Sequence, residues 1–529
     1  MCGIFLYKGS KHSWESLAKD INLINYRGPE NTHHEMIGNN VLFAFHRLAI
    51  MGTTELGDQP MKHPKENSLT LICNGEIYNY KKLAEKYDFH LESGSDCEII
   101  LFMFEEFGIE KTVKELDGVF MFVIHDSKTG KLFAGRDPMG VRPGFIGENE
   151  NEIMIASEAK PLINHCSEIK PFAPGTWWCS DTPNRFIPYF HYNGEHIKEN
   201  TENKICNQIR ILLIEAVKKR LMAEREIGCL LSGGLDSSLI SSLVAKYYNG
   251  PKLNTFSIGL SGSVDLDYAQ HVADYLGTNH HQIEVSEQEF LSAIEKVIYN
   301  IESYDTTTVR ASVGNYLVSK FITENSNCKV IFNGDGADEV CCGYVYLRNA
   351  PTPVELQKES ERLVKEIHYF DVLRSDRSIS SNGLEARTPF LDKVFVKYYL
   401  SIPAELKRLD GTRRLEKHLL RKAFENQKLL PEDVLWRRKC AFSDGVSSIK
   451  KSWHHIIQSF VDQKISDEEF QQESVRITHC TPVLKESYYY RKVFESYFGK
   501  NEKLIPHFWM PKWTDVLDPS ARELEDYQE

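Results

Sequence analysis

The chain has 529 residues, of which 41% are hydrophobic and 26% are charged. This composition is typical of a globular protein and excludes a collagen-like, low-complexity or wholly disordered chain, while the length allows two large domains. Lys and Arg number 63 against 75 Asp and Glu, so the net charge of −12 offers no basic excess for nucleic acid or for an anionic membrane.

No segment of the sequence is typical of a membrane span or a secretory signal. The longest apolar run, residues 118–124, has about seven residues, against the ~20 that cross a bilayer. The N-terminus, Met1-Cys-Gly-Ile-Phe, lacks the basic start and long apolar core of a signal peptide. The twelve cysteines are scattered, with no CxxC pair and no histidines at zinc-finger spacing. We therefore expect reduced thiols in a cytoplasmic enzyme.

Short strands broken by turn residues are predicted up to about residue 185. Several of them alternate apolar and polar residues, as half-buried antiparallel strands do. The predicted strands are residues 41–50, 69–73, 118–125, 131–134 and 153–157, with a helical stretch at 96–107. Sheets covered by helices follow from this pattern, which predicts an α+β layered domain over residues 2–185.

From residue 205 onward, long helical periods alternate with brief apolar strands. The strands are predicted at residues 228–231, 255–258 and 329–332, and intervening helices at 237–248 and 268–276. Wholly apolar strands separated by helices are typical of a parallel sheet, so we expect a doubly wound α/β domain over residues 205–529. The last stretch of about thirty residues, rich in Pro and Trp, is expected to drape over the surface.

Cys2 is a candidate nucleophile because of its position. Removal of the initiator Met leaves Cys2 with a free α-amine, which titrates near ~8 and can take the proton from the adjacent thiol. The alternative is a chance cysteine beside the start of the chain.

Five polar groups suggest an amino-acid pocket around this candidate nucleophile. Arg47 can clamp an α-carboxylate, and Asp96 or Glu76 can hold an α-ammonium. Asn74 offers a side-chain amide, and Gly75 a backbone N–H, to a developing oxyanion. Each also has a structural explanation: a surface Arg, a turn Asn-Gly, or a helix-capping Asp.

A glycine-rich loop, Leu231-Ser-Gly-Gly-Leu-Asp-Ser-Ser238, follows an apolar strand and opens a helix. Paired glycines let the backbone N–H groups form a nest for phosphate, and the helix N-terminus favours an anion there. The sequence contains no GxxxxGK[ST] motif, so a Walker loop is not indicated.

A second, acidic loop follows another predicted strand: Asn333-Gly-Asp-Gly-Ala-Asp-Glu339. Carboxylates beside a phosphate nest are what Mg²⁺ needs, because the ion is shared between protein oxygens and nucleotide phosphates. The alternative is a solvated helix N-terminus with acidic residues at favourable positions.

Two sets of motifs carry family resemblances. The N-terminal set resembles the class II glutamine amidotransferases: Cys2-Gly-Ile, Arg27-Gly-Pro-Glu30, His46-Arg-Leu-Ala-Ile50, Asn74-Gly-Glu-Ile-Tyr-Asn79 and Arg136-Asp-Pro-Met-Gly140. The loop Ser-Gly-Gly-Leu-Asp-Ser resembles that of the ATP pyrophosphatases. The two together resemble the glutamine-hydrolysing asparagine synthetase family over nearly the whole chain, with further matches at Asn382–Asp392, Trp436–Gly445, Pro511-Lys-Trp and Asp518-Pro-Ser-Ala-Arg522.

The resemblance implies a fold and a reaction. An N-terminal nucleophile (Ntn) layered sandwich would hydrolyse glutamine to glutamate and ammonia, and ammonia would pass internally to an ATP pyrophosphatase domain. There ATP would adenylate the β-carboxylate of aspartate, releasing pyrophosphate, and ammonia would displace AMP to give asparagine. ATP, Mg²⁺ and a homodimer are implied, with small-molecule substrates and neither nucleic acid nor membrane as a partner.

The resemblance also implies roles for individual residues. The catalytic set is Cys2, Asn74, Gly75, Asp335 and Lys439. Glutamine would contact Arg47, Leu48, Ala49, Ile50, Met51, Asn74, Gly75, Glu76 and Asp96. ATP would contact Leu231, Ser232, Gly233, Gly234, Asp236, Ser237, Ile258, Asn333 and Gly334, and Mg²⁺ would be held by Asp236 and Asp338.

Four departures from the family pattern are present, one of which is the stretch Met139-Gly-Val-Arg-Pro-Gly144, a variant of the family's turn. Glu30 stands where the family usually has Asp, and Asn333 and Asp335 stand where it has Ser and Glu. The acid at position 335 is thus one methylene shorter. Two alternatives remain: a β-lactam-forming relative, which typically lacks the N-terminal Cys, and a nucleotide binder without turnover, supported only by the changes at 333 and 335.

Overall fold

The computed structural model describes residues 1–38, 40–65, 67–192, 197, 201–409, 414–439 and 453–519. Residues 440–445 and 520–522, which belong to the family motifs quoted above, lie outside the described residues. The chain forms two compact units. Unit 1 comprises Met1–His191, Met222–Arg225 and Ser380–Glu385, and unit 2 comprises Tyr192–Leu221, Glu226–Ile379 and Ala386–Glu529.

Unit 1 is built mainly of antiparallel strands. They are β1 (Gly3–Lys8), β2 (Asn31–Ile37), β3 (Val41–Arg47), β4 (Met61–Lys62), β5 (Leu69–Ile77), β6 (Gly118–Asp126), β7 (Lys131–Arg136), β8 (Phe145–Asn149), β9 (Glu152–Ala156), β10 (Glu168–Pro171), β11 (Thr176–Cys179) and β12 (Ile187–Pro188). The helices are α1 (Trp14–Ile21), α2 (Tyr80–Tyr87) and α3 (Ile99–Glu115).

These strands form two six-stranded sheets. The first has the order β10-β8-β9-β1-β3-β2 and the second the order β12-β11-β7-β6-β5-β4. Their inner faces share one apolar core, to which Phe43 and Ile155 contribute from the first sheet and Ile72 and Val123 from the second. The outer face of the second sheet packs under α2 and α3. Burial on both faces explains why β3 and β6 are almost continuously apolar rather than alternating.

Unit 2 alternates helices and strands. Its elements are α4 (Glu202–Arg220), β13 (Ile227–Leu230), α5 (Leu235–Tyr247), β14 (Asn254–Leu260), α6 (Val264–Leu276), β15 (Asn279–Val285), α7 (Glu287–Ile301), α8 (Thr306–Asn325), β16 (Val330–Phe332), α9 (Ala337–Val340), α10 (Pro353–Glu366), α11 (Asp371–Ser380), β17 (Glu385–Arg387), α12 (Lys393–Ser401), α13 (Ala404–Lys407), α14 (His418–Phe424) and α15 (Glu432–Leu435). Two of these elements, α11 and β17, each include one residue of the segment 380–385, which belongs to unit 1. Further helices span Trp453–Asp462, Asp467–Glu473 and Lys485–Phe498.

The sheet of unit 2 has the order β15-β14-β13-β16-β17. The neighbouring pairs β15–β14, β14–β13 and β13–β16 are parallel. From β13 the chain first adds β14 and β15 on one side of the sheet, and it then adds β16 on the other side of β13. Such a reversal of strand order opens a crevice at the carboxyl ends of β13 and β16. The layered α+β unit followed by a doubly wound parallel sheet confirms the predicted fold class.

The C-terminal segment corrects one expectation. The stretch that was expected to drape over the surface is buried in part, because Trp509 is 8% exposed and Asp518 only 1% exposed. Trp509 packs in an apolar cluster with Tyr346 and Leu347, and Asp518 is paired with Arg310 at 2.7 Å. Within the described parts of the chain, no helix combines the length and the apolar character needed to span a bilayer.

Candidate active sites

Cys2 lies immediately before β1, in the middle of the first sheet of unit 1. Its backbone N–H donates to Oδ1 of Asn74 at 3.0 Å, and its thiol lies 3.6 Å from the carbonyl oxygen of Leu48. Nε of Arg27 donates to the carbonyl oxygen of Cys2 at 3.1 Å. The backbone of Cys2 is thus held on both sides, and its thiol is the candidate nucleophile.

Asn74 offers an amide donor beside the thiol. The residue is buried on β5, and its Nδ2 has no hydrogen-bond partner within the described part of the chain. A buried amide donor without a partner costs free energy, about 1–3 kcal/mol, so its retention next to a nucleophile is typical of a group that waits for a ligand. Gly75 follows on the same strand, where a Cβ would lie only 2.5 Å from the carbonyl oxygen of Val119.

Burial governs the titration of the N-terminus as it stands. Met1 is completely enclosed, and burial lowers the pKa of its ammonium to about 6, although Glu385 opposes this shift. Burial also raises the pKa of the Cys2 thiol, whereas the neighbouring ammonium lowers it. The effect of burial is the larger of the two, and the resulting pKa is about 11. While Met1 is attached, the thiol is therefore protonated at neutral pH and the nitrogen of Cys2 is an amide that accepts no proton.

The carboxylates predicted to hold an α-ammonium lie close together. Asp96, in a short 3-10 helix, accepts from the backbone N–H of Ile77. Burial raises the pKa of Tyr80, and nearby carboxylates raise it further, in the order Asp96, Glu224 and Glu76. Glu224 was not singled out from the sequence, because the segment Met222–Arg225 joins unit 1 from a distant part of the chain.

Arg47 ends β3, and the stretch after it contains residues that are predicted to contact glutamine. Its guanidinium donates to the carbonyl oxygens of Thr54 and Gly52 and contacts Asp58. Leu48, Ala49 and Ile50 are buried and Met51 is half-buried. The backbone N–H of Ala49 donates to Glu30 at 2.8 Å, so the longer acid at position 30 still holds this stretch.

The glycine-rich loop of unit 2 connects β13 to α5. Gly233 has φ +73°, and a Cβ there would lie 2.5 Å from Cβ of Tyr268, so both conformation and space require glycine. The hydroxyl groups of Ser232 and Ser237 lie 2.9 Å apart. Arg437 stacks on Tyr268 and donates to the carbonyl oxygen of Gly233 at 3.0 Å. Its guanidinium thus fixes the loop from outside, a role that the sequence did not indicate.

The acidic loop after β16 meets the glycine-rich loop at close range. A Cβ on Gly334 would lie 2.8 Å from Cβ of Asp236 and from the backbone nitrogen of Ser237. Asn333 is buried, and its Nδ2 donates to Ser375 at 2.7 Å. Asp335 pairs with Arg374 at 2.8 Å, and burial raises the pKa of this carboxyl more than Arg374 lowers it.

Two lysines and two carboxylates form the centre of this site. The ammonium of Lys417 contacts Asp236 and lies 2.6 Å from Asp338, and that of Lys439 also contacts Asp338. Although burial opposes the shift, the two ammonium groups hold the pKa of Asp338 well below its usual range. Lys417 has φ +57°, which a non-glycine residue adopts only at a cost, so the surrounding fold holds it beside the carboxylates.

A cavity of about 260 Å³ brings these groups together in unit 2. It is lined by the candidate residues Leu231, Ser232, Gly234, Asp236, Ser237, Ile258, Asn333, Gly334, Asp335, Asp338 and Lys439. Gly233 is the one member of the predicted ATP set that does not line it. Sequence reasoning missed Lys417, Arg374 and Tyr344, which also line the cavity, because charged and aromatic residues without a motif give no signal.

Comparison with known proteins assigns the family. A model of the asparagine synthase family matches residues 208–355 and 348–517, and a glutamine amidotransferase domain model matches residues 1–173. "Asparagine synthetase [glutamine-hydrolyzing]" of Rattus norvegicus is 42% identical over 560 residues, which cover 100% of this chain and 99% of the relative. The Homo sapiens protein of the same name is 41% identical over 559 residues, with the same coverage.

A solved structure of glutamine phosphoribosylpyrophosphate amidotransferase from B. subtilis, complexed with ADP and GMP, also resembles part of the chain. It is 13% identical and covers 53% of this chain and 81% of that chain at a TM-score of 0.32, which is too low to carry an argument. The family rests instead on the sequence matches over the full length. The chain belongs to the glutamine-hydrolysing asparagine synthetase family.

Proposed function

We propose that this chain synthesises asparagine from aspartate, with glutamine as the nitrogen donor and ATP as the energy source. We assign the glutaminase to residues 2–185 and the synthetase to residues 205–529. The observation that supports this most directly is a complete set of side chains for each half-reaction. Unit 1 carries a thiol beside an amide donor that has no partner among the described residues, and unit 2 carries a phosphate loop beside paired carboxylates and lysines.

The glutaminase begins when Met1 is removed. The α-amine then belongs to Cys2 and takes the proton of the thiol, which attacks the side-chain carbonyl carbon of glutamine. Asn74 Nδ2 and the backbone N–H of Gly75 donate to the oxyanion that forms. Ammonia leaves, and water hydrolyses the thioester to glutamate. Arg47 holds the α-carboxylate of glutamine, and Asp96, with Glu76, holds its α-ammonium.

Leu48, Ala49, Ile50 and Met51 form the wall of the glutamine pocket. The carbonyl oxygen of Leu48 faces the thiol, which is consistent with this role.

In the synthetase, the β-carboxylate of aspartate attacks the α-phosphate of ATP and pyrophosphate leaves. The glycine-rich loop receives the phosphates through backbone N–H groups and the hydroxyls of Ser232 and Ser237. Leu231 and Ile258 are buried apolar residues of the cavity and suit the adenine ring. Ammonia then attacks the acyl carbon and AMP leaves. Lys439 stabilises the negative charge that develops, and Asp335 takes the proton that ammonia loses.

We propose that Asp236 and Asp338 hold Mg²⁺ together with the phosphates of ATP. The two carboxylates fit a cation, because the ammonium of Lys417 bridges them and Oδ1 of Asp236 is buried without a hydrogen-bond partner among the described residues. One or two carboxylates plus substrate phosphates is the usual protein environment of Mg²⁺. When bound, the ion would neutralise negative charge on the phosphates.

The assembly and location are further proposals. The family resemblance supports a homodimer, which light scattering would detect as twice the mass of one 60.9 kDa chain. The eleven described cysteines are free thiols, and this supports a cytoplasmic location.

Isotope transfer tests the function. We expect purified enzyme with amide-¹⁵N glutamine, aspartate, ATP and Mg²⁺ to form ¹⁵N-asparagine and AMP. Mass spectrometry would detect the labelled asparagine. The matched control is Cys2→Ala, which should form no labelled asparagine but should use ammonium at the wild-type rate. Labelled glutamine that yields ammonia without asparagine would contradict the synthetase assignment. Loss of both activities in a folded Cys2→Ala enzyme would contradict the division of labour.

A further inference from the structure

We propose that Asp58 sets the affinity of the glutamine site by competing with the α-carboxylate of glutamine for Arg47. The inference rests on the proposed role of Arg47 in binding that carboxylate. Asp58 belongs to none of the motifs that identify the family, and its contact with Arg47 is visible only in the fold.

The guanidinium of Arg47 is nearly enclosed, with the residue 7% exposed. Nη1 donates to the carbonyl oxygen of Thr54 at 2.8 Å and also contacts Oδ1 of Asp58. Nη2 donates to the carbonyl oxygen of Gly52. Since the described residues offer no acceptor to Nε–H, that group and the second N–H of Nη2 remain for a ligand.

Two backbone carbonyl groups help to orient this side chain. Thr54 and Gly52 hold one terminal nitrogen each, and a Cβ on Gly57 would lie 2.6 Å from Nη2. The loop therefore packs closely against the guanidinium through its backbone. Asp58 adds a negative charge to these two neutral backbone acceptors.

Asp58 is the one carboxylate that contacts the guanidinium among the described residues. Glu224, the other acid nearby, accepts instead from the backbone N–H groups of Gly52 and Thr53. The second oxygen of Asp58 lies 3.0 Å from Nε2 of His33. Asp58 thus places a negative charge on Nη1, beside the Nε–H and Nη2–H groups that remain for glutamine.

A second carboxylate on the same guanidinium is repelled by the first, and partial burial strengthens this repulsion relative to water. Glutamine therefore binds against the charge of Asp58. Replacement by Asn keeps an oxygen that accepts from Nη1 and removes the charge. The structure thus predicts tighter binding of glutamine to Asp58→Asn, which the loss of a merely structural contact would not produce.

Steady-state kinetics of Asp58→Asn tests the proposal. We expect the KM for glutamine to fall about tenfold with kcat unchanged. Ammonia-dependent synthesis should keep its KM and kcat, which also reports that the variant is folded. Hydrolysis of 4-aminobutanamide, which lacks the α-carboxylate, should be the same for both enzymes. The matched control is Asp181→Asn, which removes the acid of an exposed pair with Lys131 and should leave the KM for glutamine unchanged.

Calorimetry provides a second measurement without turnover. In the Cys2→Ala background, Asp58→Asn should lower the Kd for glutamine by the same factor. An unchanged or higher KM and Kd would overturn the proposal, as would an equal gain with 4-aminobutanamide. A wild-type enzyme that hydrolyses no glutamine would instead overturn the proposed function, and this inference with it.

Discussion

Retention of Met1 should silence the glutaminase and leave the synthetase intact. In the Met1-bearing chain, burial raises the pKa of the Cys2 thiol from its ordinary value of 9.0 to about 11. At a working pH near 8 this lowers the thiolate fraction about a hundredfold. The nitrogen of Cys2 is also an amide whose N–H already donates to Asn74, so it cannot take the proton of the thiol. We therefore expect glutamine hydrolysis to fall at least about a hundredfold.

The comparison needs two preparations of one sequence. Expression with and without an inhibitor of methionine aminopeptidase yields the Met1-bearing and processed chains, which intact mass spectrometry distinguishes by one methionine residue. Glutamate release reports the glutaminase, and AMP formed with ammonium as nitrogen source reports the synthetase. Equal glutaminase rates in a homogeneous Met1-bearing preparation would refute the reasoning. An equal loss of ammonia-dependent synthesis would show that Met1 disturbs the fold rather than the base.

Three further predictions concern unit 2. Asp335→Glu should slow ammonia-dependent synthesis about tenfold and spare the glutaminase, because Asp335 is already paired with Arg374 at 2.8 Å and an added methylene would displace the carboxylate from this position; a faster enzyme would contradict this. Asp518→Asn should lower the free energy of unfolding of unit 2 by about 3 kcal/mol in urea titrations, since it breaks a buried pair with Arg310, whereas loss of an exposed pair costs at most about 1 kcal/mol. Burial lowers the pKa of His280 to about 4, so the unfolded state binds a proton at a higher pH than the folded state does. The free energy of unfolding should therefore decrease as the pH falls from about 6.5 to 4. His280→Asn should flatten this dependence when unfolding is measured as a function of pH.

Local patterns predicted much of the fold. The strands at residues 69–73 and 118–125 correspond to β5 (Leu69–Ile77) and β6 (Gly118–Asp126), because apolar runs bounded by turn residues carry their own signal. The glycine-rich loop was equally recognisable, since Gly233 meets a local demand for a positive φ. Features of this kind are determined by residues that are adjacent along the chain, so they can be predicted from a single sequence.

Contacts between distant segments were not predictable. Lys417 reaches Asp236 across 181 residues, and nothing in its own surroundings distinguishes it from a helix-flanking lysine. Asp518 was expected on the surface as part of a Pro- and Trp-rich C-terminal stretch, yet it is buried and paired with Arg310. Such residues are defined by their partners, and the partner is known only when the chain has folded.

The position of the N-terminus in its sheet sets a time limit during synthesis. Strand β1 lies between β3 and β9, so the ribosome must complete Glu152–Ala156 before the sheet can close around it. At about 5–20 residues per second, synthesis reaches Ala156 roughly 8–30 s after the first residue, and until then the completed sheet cannot enclose Met1. Afterwards Met1 is fully enclosed. A chain that misses this interval is expected to stay unprocessed until it unfolds, so the rate of translation would set the fraction of active glutaminase.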